Sequence, residues 1–187
     1  MKKAVIYVFS GTGNTRLVAD LYKKNLSEYE TTIYDVKMKK TGENSSRFEF
    51  EPFPNPNDFD LIGFGHPVYG FNIPKPFDDF INLLPKLENP KKAFVFKTSG
   101  EGLYINEFSS QRLISKMEKK GFEFVSDRHY VMPYNMIFRH TPEMVKREWL
   151  YAKAYAKLSC NEIQQGKVDK VHINPFLRFW VPLVRVE

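Results

Sequence analysis

The sequence predicts an α/β domain built on a parallel sheet, and three observations carry that expectation. Short apolar runs suited to buried strands alternate with segments of helical periodicity along most of the chain. A Gly- and Thr-rich turn, Ser10-Gly11-Thr12-Gly13-Asn14-Thr15, falls where the first strand would hand over to the first helix. The composition, 42% hydrophobic and 27% charged over 187 residues, suits one globular domain with a sizeable core and argues against disorder or a membrane-embedded chain.

Ala4 to Phe9 reads as the first buried strand, and Leu17, Val18, Leu21, Tyr22 and Leu26 recur at the spacing of one helical face. Thr32 to Val36 is a short second strand, followed by a polar, Pro-rich surface loop from Lys37 to Asp58. Leu61 to Gly65 is the third strand, Pro76 to Leu84 the next helix, and Ala93 to Lys97 a fourth strand of β-favouring Phe and Val. A helix from about Glu107 to Lys120 ends at Gly121, a residue suited to the left-handed conformation that follows helices. Phe122 to Val131 is a fifth strand, split around Ser126 and Asp127. In the last helix Thr141 caps, Pro142 fits the first turn, Val145, Trp149, Ala152 and Ala156 share a face, and Gly166 closes it. The expected domain covers residues 1–166. A tail, 167–187, contains the apolar and aromatic run Asn174 to Pro182 with interspersed basic residues, which either packs on the domain or serves as a docking or membrane-surface segment.

With Cys160 as the sole cysteine, no disulfide framework, cysteine-ligated zinc site or cysteine-held iron–sulfur cluster can form within the chain, and a cytoplasmic, reducing setting is expected. No stretch is long and apolar enough for a transmembrane segment, and the apolar run near Met1 is too short for a signal peptide. The net charge of +6 is spread along the chain as solvated surface, so no nucleic-acid partner is expected. Aromatics reach 16%, enough both to fill a core and to sandwich a flat ring.

In the Ser10 to Thr15 turn, successive amides and hydroxyls at a helix amino terminus can close around an anion. The turn lacks the lysine of a triphosphate loop and the third glycine of a dinucleotide fingerprint, so a single phosphate monoester is the expected guest. Placed directly after strand one, this turn resembles the flavin mononucleotide (FMN) phosphate loop of the flavodoxin family. The resemblance implies a flavodoxin-like three-layer sandwich with a five-stranded parallel sheet of order 2-1-3-4-5, and FMN as cofactor. It extends to Pro67, Val68, Tyr69, Gly70 and Phe71, where flavodoxins set an aromatic ring against the flavin. Tyr69 is the candidate ring, and Gly70 the peptide that answers the flavin's redox state. More loosely it reaches Thr98, Ser99, Gly100, Glu101 and Gly102, which would wrap the flavin's pyrimidine edge, with Tyr104 as a cover for its second face.

Beyond about Tyr134 the long helix and aromatic tail are additions to the small flavodoxin pattern. They resemble the flavodoxin module of flavodoxin–ferredoxin fusion proteins, yet the ferredoxin's cysteines are absent, so the chain is either a piece of such a protein or a relative without that module. The implied role is single-electron transfer between redox partner proteins. The basic surface suggests an acidic partner such as a ferredoxin or ferredoxin module. An FMN-dependent NAD(P)H quinone or nitro reductase is the alternative, and a flavin-free interaction domain on the same fold is a third. Arg139 and His140, after the fifth strand, can face either an anion or solvent.

Overall fold

The computed structural model describes residues 1–42, 48–133 and 139–169. Among them, β1 (Lys2–Val8), α1 (Asn14–Asn25), β2 (Tyr29–Asp35), β3 (Met38–Lys40), β4 (Phe48–Phe50) and β5 (Leu61–Pro67) come first. They are followed by α2 (Lys75–Leu83), β6 (Lys91–Ser99), α3 (Gln111–Glu118), β7 (Phe122–Val131) and α4 (Pro142–Gln164). One parallel sheet runs β2-β1-β5-β6-β7, which is the expected order 2-1-3-4-5 when only its own strands are counted.

Alternation along the strands sorts the core into two layers. Ala4, Ile6, Val8, Phe94 and Phe96 face α1 and α4, where Val18, Tyr22, Ala152 and Ala156 close against them. Val5, Tyr7, Ile62, Phe64 and Val95 face α2 and α3, meeting Phe77, Phe80, Leu113 and Met117. On the first face Gly63 and Gly65 of β5 pair with Phe94 and Phe96 of β6, and a Cβ on either glycine would fall 2.4 Å from the neighbouring ring. The absent side chains let both rings lie across β5. Tyr22 then stacks on them at 5.0 and 4.9 Å between centroids, seating α1 close to the sheet and fixing the turn at its amino end.

Several expectations change in detail. The Lys37–Asp58 excursion is tied down: it carries the antiparallel pair β3–β4, Phe50 and Phe53 pack on Phe80, and the Tyr7 hydroxyl donates to the Pro54 carbonyl at 2.6 Å. The Glu107–Lys120 helix is shorter, because a 3-10 turn over Tyr104–Phe108 precedes α3. Ser109 donates back to the Asn106 carbonyl at 2.8 Å and Ser110 is drawn to Asp127, so neither hydroxyl supports a regular first turn. Strand β7 is continuous rather than split: Ala93 faces Phe124 and Phe94 faces Ser126, so the disturbance is a bulge at Val125 while Ser126 and Asp127 stay buried in the strand. The stripe of α4 starts late, with Val145 36% exposed and Ala152, Ala156, Cys160 and Ile163 buried.

The capping signals appear as expected: Thr141 accepts from the Met144 amide, and Gly121 and Gly166 have φ of 95° and 71°. After α4, Asp169 exchanges hydrogen bonds with Val125 and Asp127, covering part of the β7 edge. The tail from 170 to 187 lies outside the described residues.

Candidate functional site

The turn after β1 is shaped by its own short-range bonds. Ser10 Oγ accepts from the amides of Gly13 and Arg16, at 3.2 and 3.3 Å, and Gly13 takes the left-handed conformation, φ 96°, as the residue before α1. The first amides of α1 have no partner within the helix, so the turn presents donors and the positive end of the helix dipole. Arg16, the nearest cation in the sequence, is engaged by Asp20 and Asp35, which leaves the polarity of the turn to backbone and small polar groups. Two side chains reach outward instead: Asn14 Nδ2 donates to the Pro133 carbonyl at 2.9 Å, and the buried Thr15 hydroxyl shares a 2.8 Å hydrogen bond with Thr98.

These ties bring four loops around one cleft of about 510 Å³, counted to its open mouth. Gly11, Thr12, Asn14 and Thr15 form one end; Pro67, Val68 and Tyr69 one wall; Thr98, Ser99 and Gly100 another; Met132 and Pro133 close the remaining side. The cleft sits at the carboxyl ends of β1, β5, β6 and β7, where the strand order reverses between β1 and β5.

Tyr69 is 44% exposed and leans across the mouth so far that a Cβ on Gly11 would stand 2.7 Å from its hydroxyl. It projects from a tight two-residue hairpin in which Tyr69 and Asn72 exchange both backbone hydrogen bonds at 3.0 Å. Gly70 and Phe71 take φ of 53° and 61°, the pattern of a type I′ turn. Tyr69 also borders a second cleft of about 1010 Å³ that runs past Asn72 and Lys75 to Arg112.

Other expected residues stand outside the cleft wall. Ser10 and Gly13 brace the loop from within, Gly70 and Phe71 form the hairpin tip, and Glu101 and Gly102 continue beyond the wall. Tyr104 is half-exposed and packs edge-on against Phe108.

Below Thr98–Gly100 lies a buried polar cluster that sequence inspection missed. Register places His66, Lys97 and His129 abreast on three adjacent strands. Lys97 Nζ, fully buried, donates to Asp127 at 2.8 Å, to Ser110 at 2.9 Å and to the Glu107 carbonyl at 2.7 Å. His129 bridges Glu107 Oε1, 3.0 Å from Nδ1, to Ser99 Oγ, 2.7 Å from Nε2. Burial works to raise the Glu107 carboxyl, but the His129 hydrogen bond and the Lys97 charge outweigh it and hold the group below its ordinary range. Burial lowers His66 to about 4, with Lys97 and His129 adding to the effect. A signal for this cluster was present: charged residues at the end of apolar strands must find partners once buried.

Cys160 is buried, with its thiol pushed upward by burial, so it packs rather than reacts. His140 Nδ1 meets Glu148 at 2.7 Å, beside the start of α4. Among the described residues no group of acidic, His or Cys side chains could hold a metal, and no helix is long and apolar enough to cross a membrane.

No protein-family model matches the chain. A flavodoxin of Buchnera aphidicola is 28% identical over 102 residues, which is 54% of this chain and 53% of that protein, so the match spans about half of each. Among solved structures, flavodoxin 1 from Bacillus cereus aligns over 83% of this chain and 97% of its own, with a TM-score of 0.51 and 20% identity. A flavodoxin from the domain Archaea aligns over 87% and 99% (TM-score 0.52, 15% identity), and azoreductase AzrA over 85% and 99% (0.55, 14%). The fold is therefore flavodoxin-like. The same fold serves proteins named as flavodoxins and one named as an azoreductase, so function has to be argued from the site.

Proposed function

We propose that this chain is a member of the flavodoxin family that binds FMN in the cleft and works as an electron-transfer protein, in keeping with the flavodoxins it resembles. One observation carries this: a turn with donors for a single phosphate and no cation of its own opens onto the same cleft as an exposed tyrosine ring and a polar strand end. The residues fit the group. Thr12 and the first-turn amides of α1 would take the phosphate, Tyr69 would cover the ring, and the Thr98–Gly100 backbone would meet its polar edge. FMN supplies the redox chemistry when bound. The chain supplies position, exclusion of water and the local field, and Gly70 supplies a peptide that can turn where a side chain would hinder it.

The partner is a redox protein with an acidic face, matched to the net charge of +6, in the reducing cytoplasm. A second reading, an FMN-dependent NAD(P)H quinone or nitro reductase, draws on the neighbouring cleft that shares Tyr69, since an acceptor there would lie next to the same ring.

Titration calorimetry with FMN and riboflavin tests the main proposal. FMN should bind far more tightly, because only its phosphate engages the turn; equal affinities overturn the assignment. Stopped-flow mixing of the FMN-loaded protein with NADH or NADPH separates the two readings. Slow bleaching fits the carrier, whereas fast bleaching with turnover on a quinone fits the reductase.

A further inference from the structure

Ser99 lines the cleft, and its hydroxyl joins the cleft wall to the polar cluster behind it. Three groups lie within bonding distance: the Glu101 carbonyl at 2.6 Å, His129 Nε2 at 2.7 Å and Asn106 Nδ2 at 3.2 Å. A hydroxyl has one hydrogen to give. The carbonyl can only accept and the amide nitrogen can only donate, so when Ser99 donates to Glu101, His129 Nε2 must carry a hydrogen of its own. At the other side of the ring the Glu107 carboxylate accepts from Nδ1, which requires a hydrogen there too. His129 is then the imidazolium. When it gives up the Nε2 proton, Ser99 has to swing its hydrogen from Glu101 to Nε2, while the amide of Asn106 still serves the Glu101 carbonyl at 3.0 Å. The proton on His129 and the direction of the Ser99 hydroxyl are thereby locked together.

Charged groups surround His129. Lys97 from β6 balances one of the two carboxylates, Asp127 of β7 and Glu107 of the 3-10 turn, and a proton on His129 balances the other. His66, across Lys97 on β5, stays neutral above about pH 4 because it is buried. Arg128, the next residue on β7, is held by Glu162, Asp169 and Tyr155.

We propose that Ser99, His129 and Glu107 form a proton relay serving the cleft, with His129 as the proton carrier. In the transfer the Nε2–H bond breaks as its proton passes to Ser99 Oγ. As it does, the serine hydroxyl turns from the Glu101 carbonyl and gives its own proton to a basic nitrogen or oxygen of the molecule bound in the cleft. His129 ends neutral, with Nδ1–H still on Glu107, and is recharged from solvent. Nothing in the relay is oxidised or reduced. The role of the relay in redox chemistry rests on FMN binding, and it would make the cleft one that moves a proton along with an electron.

Two measurements test it. In the ligand-free protein, nitrogen-15 NMR of the histidine rings across pH should show His129 losing a proton while keeping the Nδ1–H tautomer. The amides of Glu101 and Gly102 should shift in step, and Ser99→Ala should abolish those amide shifts. A His129 that does not titrate, or that keeps Nε2–H when neutral, overturns the relay. In protein saturated with FMN by calorimetry, the rate of dye-monitored proton uptake after flash photoreduction should fall by about 100-fold or more in His129→Gln and in Glu107→Gln, with FMN affinity kept within about twofold. An undiminished rate in both variants overturns it as well. Failure to bind FMN at all defeats the proposed function, and the ligand-free measurement still decides the relay.

Discussion

At its β1–α1 end the cleft is backbone held by partners three and six residues apart, whereas at its β6–β7 end it is side chains that meet across 10 to 30 positions of chain. The first end has no buried charge and gets its polarity from a helix terminus. The second brings together Lys97 and Asp127, both buried, with His129 and the partly exposed Glu107, and each charge depends on the next. A site assembled this way should separate ligand binding, set mainly by the first end, from stability and proton handling, set mainly by the second.

The largest expected effect is at the buried end. Lys97→Met strands Asp127 without its partner and should cost about 3–5 kcal/mol of folding stability in urea unfolding. Adding Asp127→Leu should recover much of that loss, because the stranded charge, not the missing attraction, is what destabilises. A double variant no more stable than Lys97→Met would mean that the pair holds the strand ends by geometry.

Acid should also strike this end. His66 has a folded-state value of about 4 against 6.5 for the free group, so between those values the unfolded chain binds the extra proton and stability falls as pH falls. The full loss is about 3 kcal/mol at 1.36 kcal/mol per unit. Glu107, shifted down, adds a loss only below about pH 4.5 as its carboxyl protonates. Urea midpoints at pH 7 and pH 4.5 should therefore differ, and His66→Leu should flatten that difference; an unchanged slope would move the acid sensitivity elsewhere.

At the loop end the effects are smaller and fall on binding. Thr12→Ala should weaken FMN by about 1.5–3 kcal/mol, the range for a hydrogen bond to a charged group, while leaving urea unfolding nearly unchanged. A destabilised variant with unaltered affinity would reverse the comparison. The smallest effect is expected at the hairpin tip, where Gly70→Ala at φ 53° should cost about 1 kcal/mol, read as a modest drop in melting temperature.

The Ser10–Thr15 turn was legible because everything it needs is contiguous: strand end, small residues and helix start follow within one turn of chain. Tyr69 was legible as an aromatic at the next strand end, and the caps at Thr141, Gly121 and Gly166 were fixed by local backbone chemistry. The His66–Lys97–His129 row was not, since its members lie about 31 residues apart and meet only through the register of three parallel strands. Met132 and Pro133 join the cleft through a bond from Asn14, 119 positions away. Likewise Gly63 and Gly65 read as ordinary strand residues until Phe94 and Phe96 lie across them.

By itself, then, the sequence determined the alternation of strands and helices, the sheet's parallel class and the Ser10–Thr15 turn between β1 and α1, because periodicity, capping and turn chemistry act over a few residues. Only the tertiary structure decided which strand ends converge, how Tyr69 leans over Gly11, and that Ser99, His129 and Glu107 hydrogen-bond in one row. Those contacts depend on register and burial, and a buried polar group finds its partner only after the chain has closed around it.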